Sequence, residues 1–423
     1  MPYPGHIIGV VGACLTLACG GGRGLPAGAS PAASAAFESC SVLEGNDRQD
    51  CYQEHVLGVL ADEGVRPALD MLAAVATADV NVEREAHVYT HAVGITSYDA
   101  RRPVSEVFSE CTELFQSGCY HGVIQAHLMA AGVSDDATVT ELCEDFKPPG
   151  SDRFLLFQCL HGLGHGLTMF YGYDLPRALE GCDLLAESWD RQSCYGGAFM
   201  ENITGATDPH HVATELGRSP DSRHADAEDP EAATHDHEMQ GEKSPDMIAK
   251  EGLEPWEPLR ADDPHYPCSV LDSRYLAACY MMQTSVMLHH NGDDFGAAAD
   301  DCGRAPERWR ATCFQSLGRD ISAYTLQDQG KGLEACGRTP EDFRDACYVG
   351  LVKNFVDLTA TTEDGFEFCT RVEERYKGRC NEAIGEQINT LFATEEERRE
   401  ACSMAETDDL EATCLFGARV PAL

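Results

Sequence analysis

Apolar residues recur at helical spacing along most of the chain, and two kinds of segment show the pattern. The stretch Glu83–Tyr98, EREAHVYTHAVGITSY, reads as an amphipathic helix with His87 and His91 four residues apart on one face. Later units, such as DDCGRAPERWRATCFQSLGRDISAY and EACGRTPEDFRDACYVGLVKNFVDL, read as a short helix ending at Cys-Gly and a longer one opened by Pro-Glu. Proline suits a first helical turn, where its missing N–H had no partner, and the glutamate beside it complements the helix dipole. Stacked helical hairpins follow, so the expected fold class is all-α, an α-solenoid. No segment beyond the N-terminal leader reaches about 18 uninterrupted apolar residues, so no membrane span is expected.

Residues 203–266 break the periodicity. They contain HHVATELGRSPDSRHADAEDPEAATHDHEMQGEKSPD, rich in acid, proline and histidine, and read as an insertion or linker. The Pro-rich EPWEPLRADDPHYPC then leads into the regular array. The expected organisation is a leader over residues 1–18, a flexible tether over 19–38, a His-rich helical repeat domain over 39–202, the insertion, and a repeat array over 267–423.

Cysteine spacing sharpens this picture. Eighteen of the 20 cysteines fall into successive neighbours: Cys40 with Cys51, Cys111 with Cys119, Cys143 with Cys159, Cys182 with Cys194, Cys268 with Cys279, Cys302 with Cys313, Cys336 with Cys347, Cys369 with Cys380, and Cys402 with Cys414. From Cys268 onward they recur every 33 or 34 residues, a repeat period. An even, evenly spaced set in an exported chain argues for disulfides rather than metal thiolates. Local pairing leaves neither Cys40 nor Cys414 stranded, whereas the offset scheme, Cys279 with Cys302 and so on, strands both; local pairing is the expected connectivity. The period and the stapled hairpins resemble cysteine-rich Sel1-like and tetratricopeptide repeat proteins, chiefly over residues 268–423. That resemblance implies an α-solenoid and no particular activity.

The N-terminal HIIGVVGACLTLACGGGRGLPAGASPAASAA resembles a bacterial lipoprotein signal, which implies cleavage before Cys19, lipidation of that cysteine and membrane attachment through the lipid alone, in the periplasm or at the cell surface. Charge narrows the partners. With 31 Lys and Arg against 71 Asp and Glu, the formal charge of -40 repels phosphate backbones, so nucleic acid is excluded and cations are favoured.

The candidate chemistry lies in the first half. After their second cysteine, two early units place His-Gly in the same register, Cys119-Tyr-His121-Gly and Cys159-Leu-His161-Gly, and no late unit does. His165 repeats the four-residue spacing of His87 and His91. The three glycines in CLHGLGHG oppose helix formation by roughly 2–3 kcal/mol, which points to a need for backbone space on that face. His87, His91, His121, His161 and His165 are the expected metal ligands, on three helices that stacking brings together. Imidazole suits copper, iron, zinc and nickel. With the cysteines oxidised, five imidazoles exceed the needs of one structural zinc, so a centre with open positions or two ions is expected, copper or iron before zinc. Glu201 is the candidate sixth ligand or catalytic proton-transfer group. The functional expectation is an exported metal-binding repeat lipoprotein, with metal-dependent oxidation first and zinc hydrolysis second. A protein- or glycan-binding scaffold, with partners on the solenoid face, and a metal carrier are the rivals. His127 lies one and a half turns from His121 and His55 follows Cys51, so both rank lower. His289 and His290 read as a helix-ending turn, and His210, His211, His224, His235 and His237 as part of a solvated linker.

Overall fold

A computed structural model of the chain describes residues 24–133, 136–148, 151–207 and 256–421. The expected lipidation site, Cys19, and the insertion histidines from His210 to His237 lie outside these residues. The described residues form nineteen α-helices and no strand. They are α1 (Pro31–Cys40), α2 (Gly45–Glu63), α3 (Val65–Ala78), α4 (Val80–Ser97), α5 (Val104–Phe108), α6 (Leu114–Ala131), α7 (Asp136–Thr140), α8 (Arg153–Phe170), α9 (Leu175–Asp183) and α10 (Ser188–Thr207). After the insertion come α11 (Leu276–Asn291), α12 (Phe295–Arg304), α13 (Arg310–Tyr324), α14 (Gln329–Gly337), α15 (Arg344–Thr359), α16 (Glu363–Arg371), α17 (Glu374–Leu391), α18 (Glu395–Cys402) and α19 (Asp408–Gly417).

The caps are written locally. Asp174, Asp294 and Asp328 accept backbone N–H groups at the starts of α9, α12 and α14, and Thr394 with Glu397 forms a capping box on α18. Pro-Glu behaves differently from the expectation. In both late units it opens a single 3-10 turn, Glu307–Trp309 and Glu341–Phe343, and the long helix starts after the turn's aromatic residue. Helical structure also begins earlier than residue 39: α1 buries Ala33 and Ala36 and takes its cap from Ser30, so part of the expected tether is packed helix.

The nine disulfides among the described residues all join local neighbours. In the first half Cys40 bonds to Cys51, Cys111 to Cys119, Cys143 to Cys159 and Cys182 to Cys194. In the late array Cys268 bonds to Cys279, Cys302 to Cys313, Cys336 to Cys347, Cys369 to Cys380 and Cys402 to Cys414. Partners are 8 to 16 residues apart, and each bridge ties the segment before a long helix to that helix. The long helices α4, α6, α8, α10, α11, α13, α15, α17 and α19 stack in order, and the short helices α12, α14, α16 and α18 each bridge two of them. The row then curls back on itself, α15 packing against α6 and α17 against α8. The late array therefore buttresses the helices that carry the histidines.

Four of the eight interfaces in this row share one device. Gly94 and Gly122 face each other across α4 and α6, Gly164 and Gly197 across α8 and α10, Gly318 and Gly350 across α13 and α15, and Gly385 and Gly417 across α17 and α19. A Cβ on any of these eight would overlap a backbone carbonyl of the facing helix. The crossings are therefore backbone against backbone, which brings the flanking side chains of the two helices together and holds them rigidly.

Candidate metal centre

Four consecutive long helices build the site. Helix α4 supplies His87 and His91, α6 supplies His121 and Gln125, α8 supplies Gln158, His161 and His165, and α10 supplies Glu201. All five expected histidines meet. Ring centroids are 4.5 Å apart for His87 and His91, 5.5 Å for His91 and His121, and 5.5 Å for His91 and His165. His121 lies 5.0 Å from His161 and 4.9 Å from His165. Two trios, His87/His91/His121 and His121/His161/His165, each place one ligand atom per residue within 4.8 Å of the others. His91 and His165 are fully buried, while His161 keeps 9% of its surface and His87 is half-buried.

Each imidazole is held from outside the cluster. Glu201, fully buried, is the hub: Oε2 accepts from His165 Nδ1 at 2.8 Å and from Gln125 Nε2 at 3.3 Å, and Oε1 accepts from the Tyr173 hydroxyl at 3.1 Å. Because the Gln125 amide nitrogen faces Glu201, its Oε1 faces His91 and accepts from Nδ1 at 3.0 Å. His121 Nε2 donates to Gln158 Oε1 at 2.9 Å, and His161 is hydrogen-bonded to the Ser193 backbone. His87 Nδ1 donates to the Phe115 carbonyl at 2.8 Å. That carbonyl is placed by an unusual turn, since Phe115, Gln116 and Ser117 at the start of α6 all have left-handed backbone angles. Such angles cost non-glycine residues about 1–2 kcal/mol each. The surrounding packing sustains this strain next to the cluster.

These acceptors fix the tautomers. With their protons on Nδ1, His87 and His91 both carry lone pairs on Nε2, and the two Nε2 atoms are 3.0 Å apart. At that distance the two nitrogens can share one proton or one cation. Two imidazole nitrogens on one ion, each at about 2.0–2.1 Å and roughly 90–110° apart, would lie about 2.9–3.4 Å from each other. His121 Nδ1 is buried with no hydrogen-bond partner, the state of a nitrogen reserved as a ligand.

Burial, reinforced by the charge each would place on the others, holds His121 and His161 well below the ordinary imidazole range. The unfolded chain takes up protons near pH 6.5 while the folded site does not, so the native state binds fewer protons and stability falls as pH drops below about 6.5. For the metal-free protein the denaturation midpoint is expected to fall between pH 7.5 and pH 5.5. Urea midpoints at pH 7.5 and 5.5 measure it; equal midpoints would show that the rings accept protons without leaving the fold.

The other candidates stand apart. His127 Nδ1 pairs with the Tyr98 hydroxyl at 3.2 Å, off the cluster. His55 Nε2 meets Ser39 Oγ at 3.0 Å beside Cys40 and Cys51, whose sulfurs are joined to each other. His289 and His290 are exposed at the end of α11, which Gly292 closes in a left-handed conformation. Gln125, Gln158 and Tyr173 were not singled out from sequence. A signal existed for the first, since Gln125 follows Cys119 by the same six residues that separate His165 from Cys159. Tyr173 sits in a turn after α8 with φ 64° and carried none.

No family model matches the chain, and no curated protein or solved structure matches it. The all-α, disulfide-bonded array is thus established by its own helices and bridges, and the site has to be read from its chemistry.

Proposed function

We propose that the protein is an exported metalloprotein whose five-histidine cluster holds a resident transition metal, copper or iron, for redox chemistry. The observation that carries this reading is that all five imidazoles have a ring nitrogen engaged by an outer group while their remaining nitrogens converge. Outer hydrogen bonds of that kind set the tautomer and raise the basicity of metal-bound histidine. The facing Nε2 atoms of His87 and His91, 3.0 Å apart, also match two neighbouring positions on one ion.

Neutral imidazole favours the later first-row metals. Copper fits better than iron, because non-haem iron oxygenase sites pair two histidines with a ligating carboxylate, and both oxygens of Glu201 are engaged by donors instead. The same engagement weighs against Glu201 as the base of a zinc hydrolase and gives it the role of aligning His165 and, through Gln125, His91. The backbone-to-backbone crossings around the site favour a resident ion over the freely exchanging cargo of a carrier. Nine disulfides fit an oxidising compartment, and no described helix is long and apolar enough to cross a membrane. Attachment through a lipid on Cys19 belongs to the same proposal.

Purification from an oxidising compartment without a histidine tag, followed by elemental analysis, tests the reading. Copper or iron at stoichiometric level, with a visible or paramagnetic signal that changes on reduction by ascorbate or dithionite, is the expected result. A protein free of metal would overturn it in favour of the interaction scaffold, and zinc alone would remove the redox assignment.

A further inference from the structure

We infer that the cluster holds two metal ions, one on His87 and His91 and the other on His121, His161 and His165, bridged by a small oxygen-donor anion. This rests on the metal reading above and adds to it the number of ions, the division of the ligands and the class of the exogenous ligand.

The division follows from distances. Two nitrogens bound to one ion at about 2.0–2.1 Å cannot be farther apart than about 4.2 Å. Among the described residues, ligand atoms of the cluster come within even 4.8 Å of one another only in threes, never in fours or fives. One ion therefore uses at most three of the five histidines and leaves at least two aligned imidazoles beside it.

His121 belongs to both trios but serves one ion. Its Nε2 is committed to Gln158, so Nδ1 is its single ligand atom and an imidazolate bridge is ruled out. Its ring centroid is nearer to His165 and His161, at 4.9 and 5.0 Å, than to His91 and His87, at 5.5 and 5.7 Å. That assigns it to the second group. The first group is then His87 and His91, whose facing Nε2 atoms at 3.0 Å match two neighbouring positions on one ion. His87 in the first group is half-buried, whereas His121, His161 and His165 of the second are all buried.

Charge identifies the further ligand. Five neutral imidazoles contribute none, and the nearby Glu201 contributes one negative charge, against four positive charges for two divalent ions. Buried charge of that size has to be compensated. A hydroxide between the ions, formed when a bound water releases one proton to solvent, lowers the charge and adds one shared oxygen donor to each ion.

Loading the full chain with copper(II), desalting it and measuring metal per protein decides the number. Two ions per chain are expected, with a weak or absent spin-half resonance from the coupled pair. The variants His87→Gln/His91→Gln and His161→Gln/His165→Gln, which keep side-chain volume, are each expected to retain one copper, and the resonance of an isolated ion then appears. Azide is expected to perturb the wild-type spectrum more than either variant's by replacing the bridging anion. One copper per wild-type chain overturns the two-ion inference and leaves the metal reading intact. Failure to bind any copper, iron or zinc overturns both. Wild-type stoichiometry does not depend on the folding of either variant, and far-UV circular dichroism reports that separately.

Discussion

Gly164→Ala is expected to destabilise the protein by about 2–3 kcal/mol, whereas the same substitution at Gly58 is expected to stabilise it by about 0.5–1 kcal/mol. Both glycines lie inside helices, α8 and α2, where alanine is intrinsically favoured. Their surroundings reverse the sign. A methyl group on Gly58 meets nothing within 4 Å, so the propensity gain stands alone. A methyl group on Gly164 collides with the Cys194 carbonyl and the Ala198 backbone nitrogen of α10, and neither is a flexible side-chain end that swings aside. The helices have to separate, and the Gly164–Gly197 crossing lies one residue from His165, whose Nδ1 bond to Glu201 spans the same interface. Metal retention is therefore expected to fall with stability at Gly164 and to be untouched at Gly58. Urea denaturation with elemental analysis of both variants checks this, and equal behaviour of the two would show that helix propensity, not interhelical approach, governs these positions.

Glu201→Ala is expected to cost about 3 kcal/mol or more in stability and to weaken metal retention by at least about 10–100-fold. The carboxylate accepts from three donors, His165 Nδ1, Gln125 Nε2 and the Tyr173 hydroxyl, and truncation strips all of them of a buried acceptor at about 1–3 kcal/mol apiece. The effect on metal goes further than the lost bonds. Without Glu201 nothing requires Gln125 to keep its oxygen toward His91, and a turned amide would place a proton on the wrong imidazole nitrogen. Glu201→Gln separates the two consequences. It preserves volume and one acceptor, so much of the stability is expected to return while metal retention stays low, because an amide cannot accept from three donors. Denaturation midpoints and bound metal for the pair provide the comparison. Full metal retention in Glu201→Ala would mean that the tautomers are set elsewhere.

Much of this molecule was legible before its fold. Spacing favoured the local disulfide pairing that the structure shows, with partners 8 to 16 residues apart flanking one turn between consecutive helices. The regular late bridges, Cys302 to Cys313, Cys336 to Cys347 and Cys369 to Cys380, all close over 11 residues. The all-α class followed from the apolar periodicity, and the candidate ligands from the His-Gly register and the four-residue spacings of His87/His91 and His161/His165. What escaped was non-local or depended on backbone detail. The left-handed turn at Phe115–Ser117 has no glycine to announce it, and the 3-10 turn after Pro306 and Pro340 differs from the expected helix start by a single turn.

The sequence by itself determined which side chains share a helix face, because helical pitch acts over a few residues; it favoured local cysteine pairing, and the structure decided that over the offset scheme. Only the tertiary structure decided that α4, α6, α8 and α10 turn those faces toward one point, and that Glu201 reaches Gln125 across 76 residues and His165 across 36. It also decided that α15 and α17 return to support α6 and α8. Those outcomes depend on the angle and depth at which helices cross, set between α4 and α6 and between α8 and α10 by paired glycines, and no single segment contains both members of such a pair.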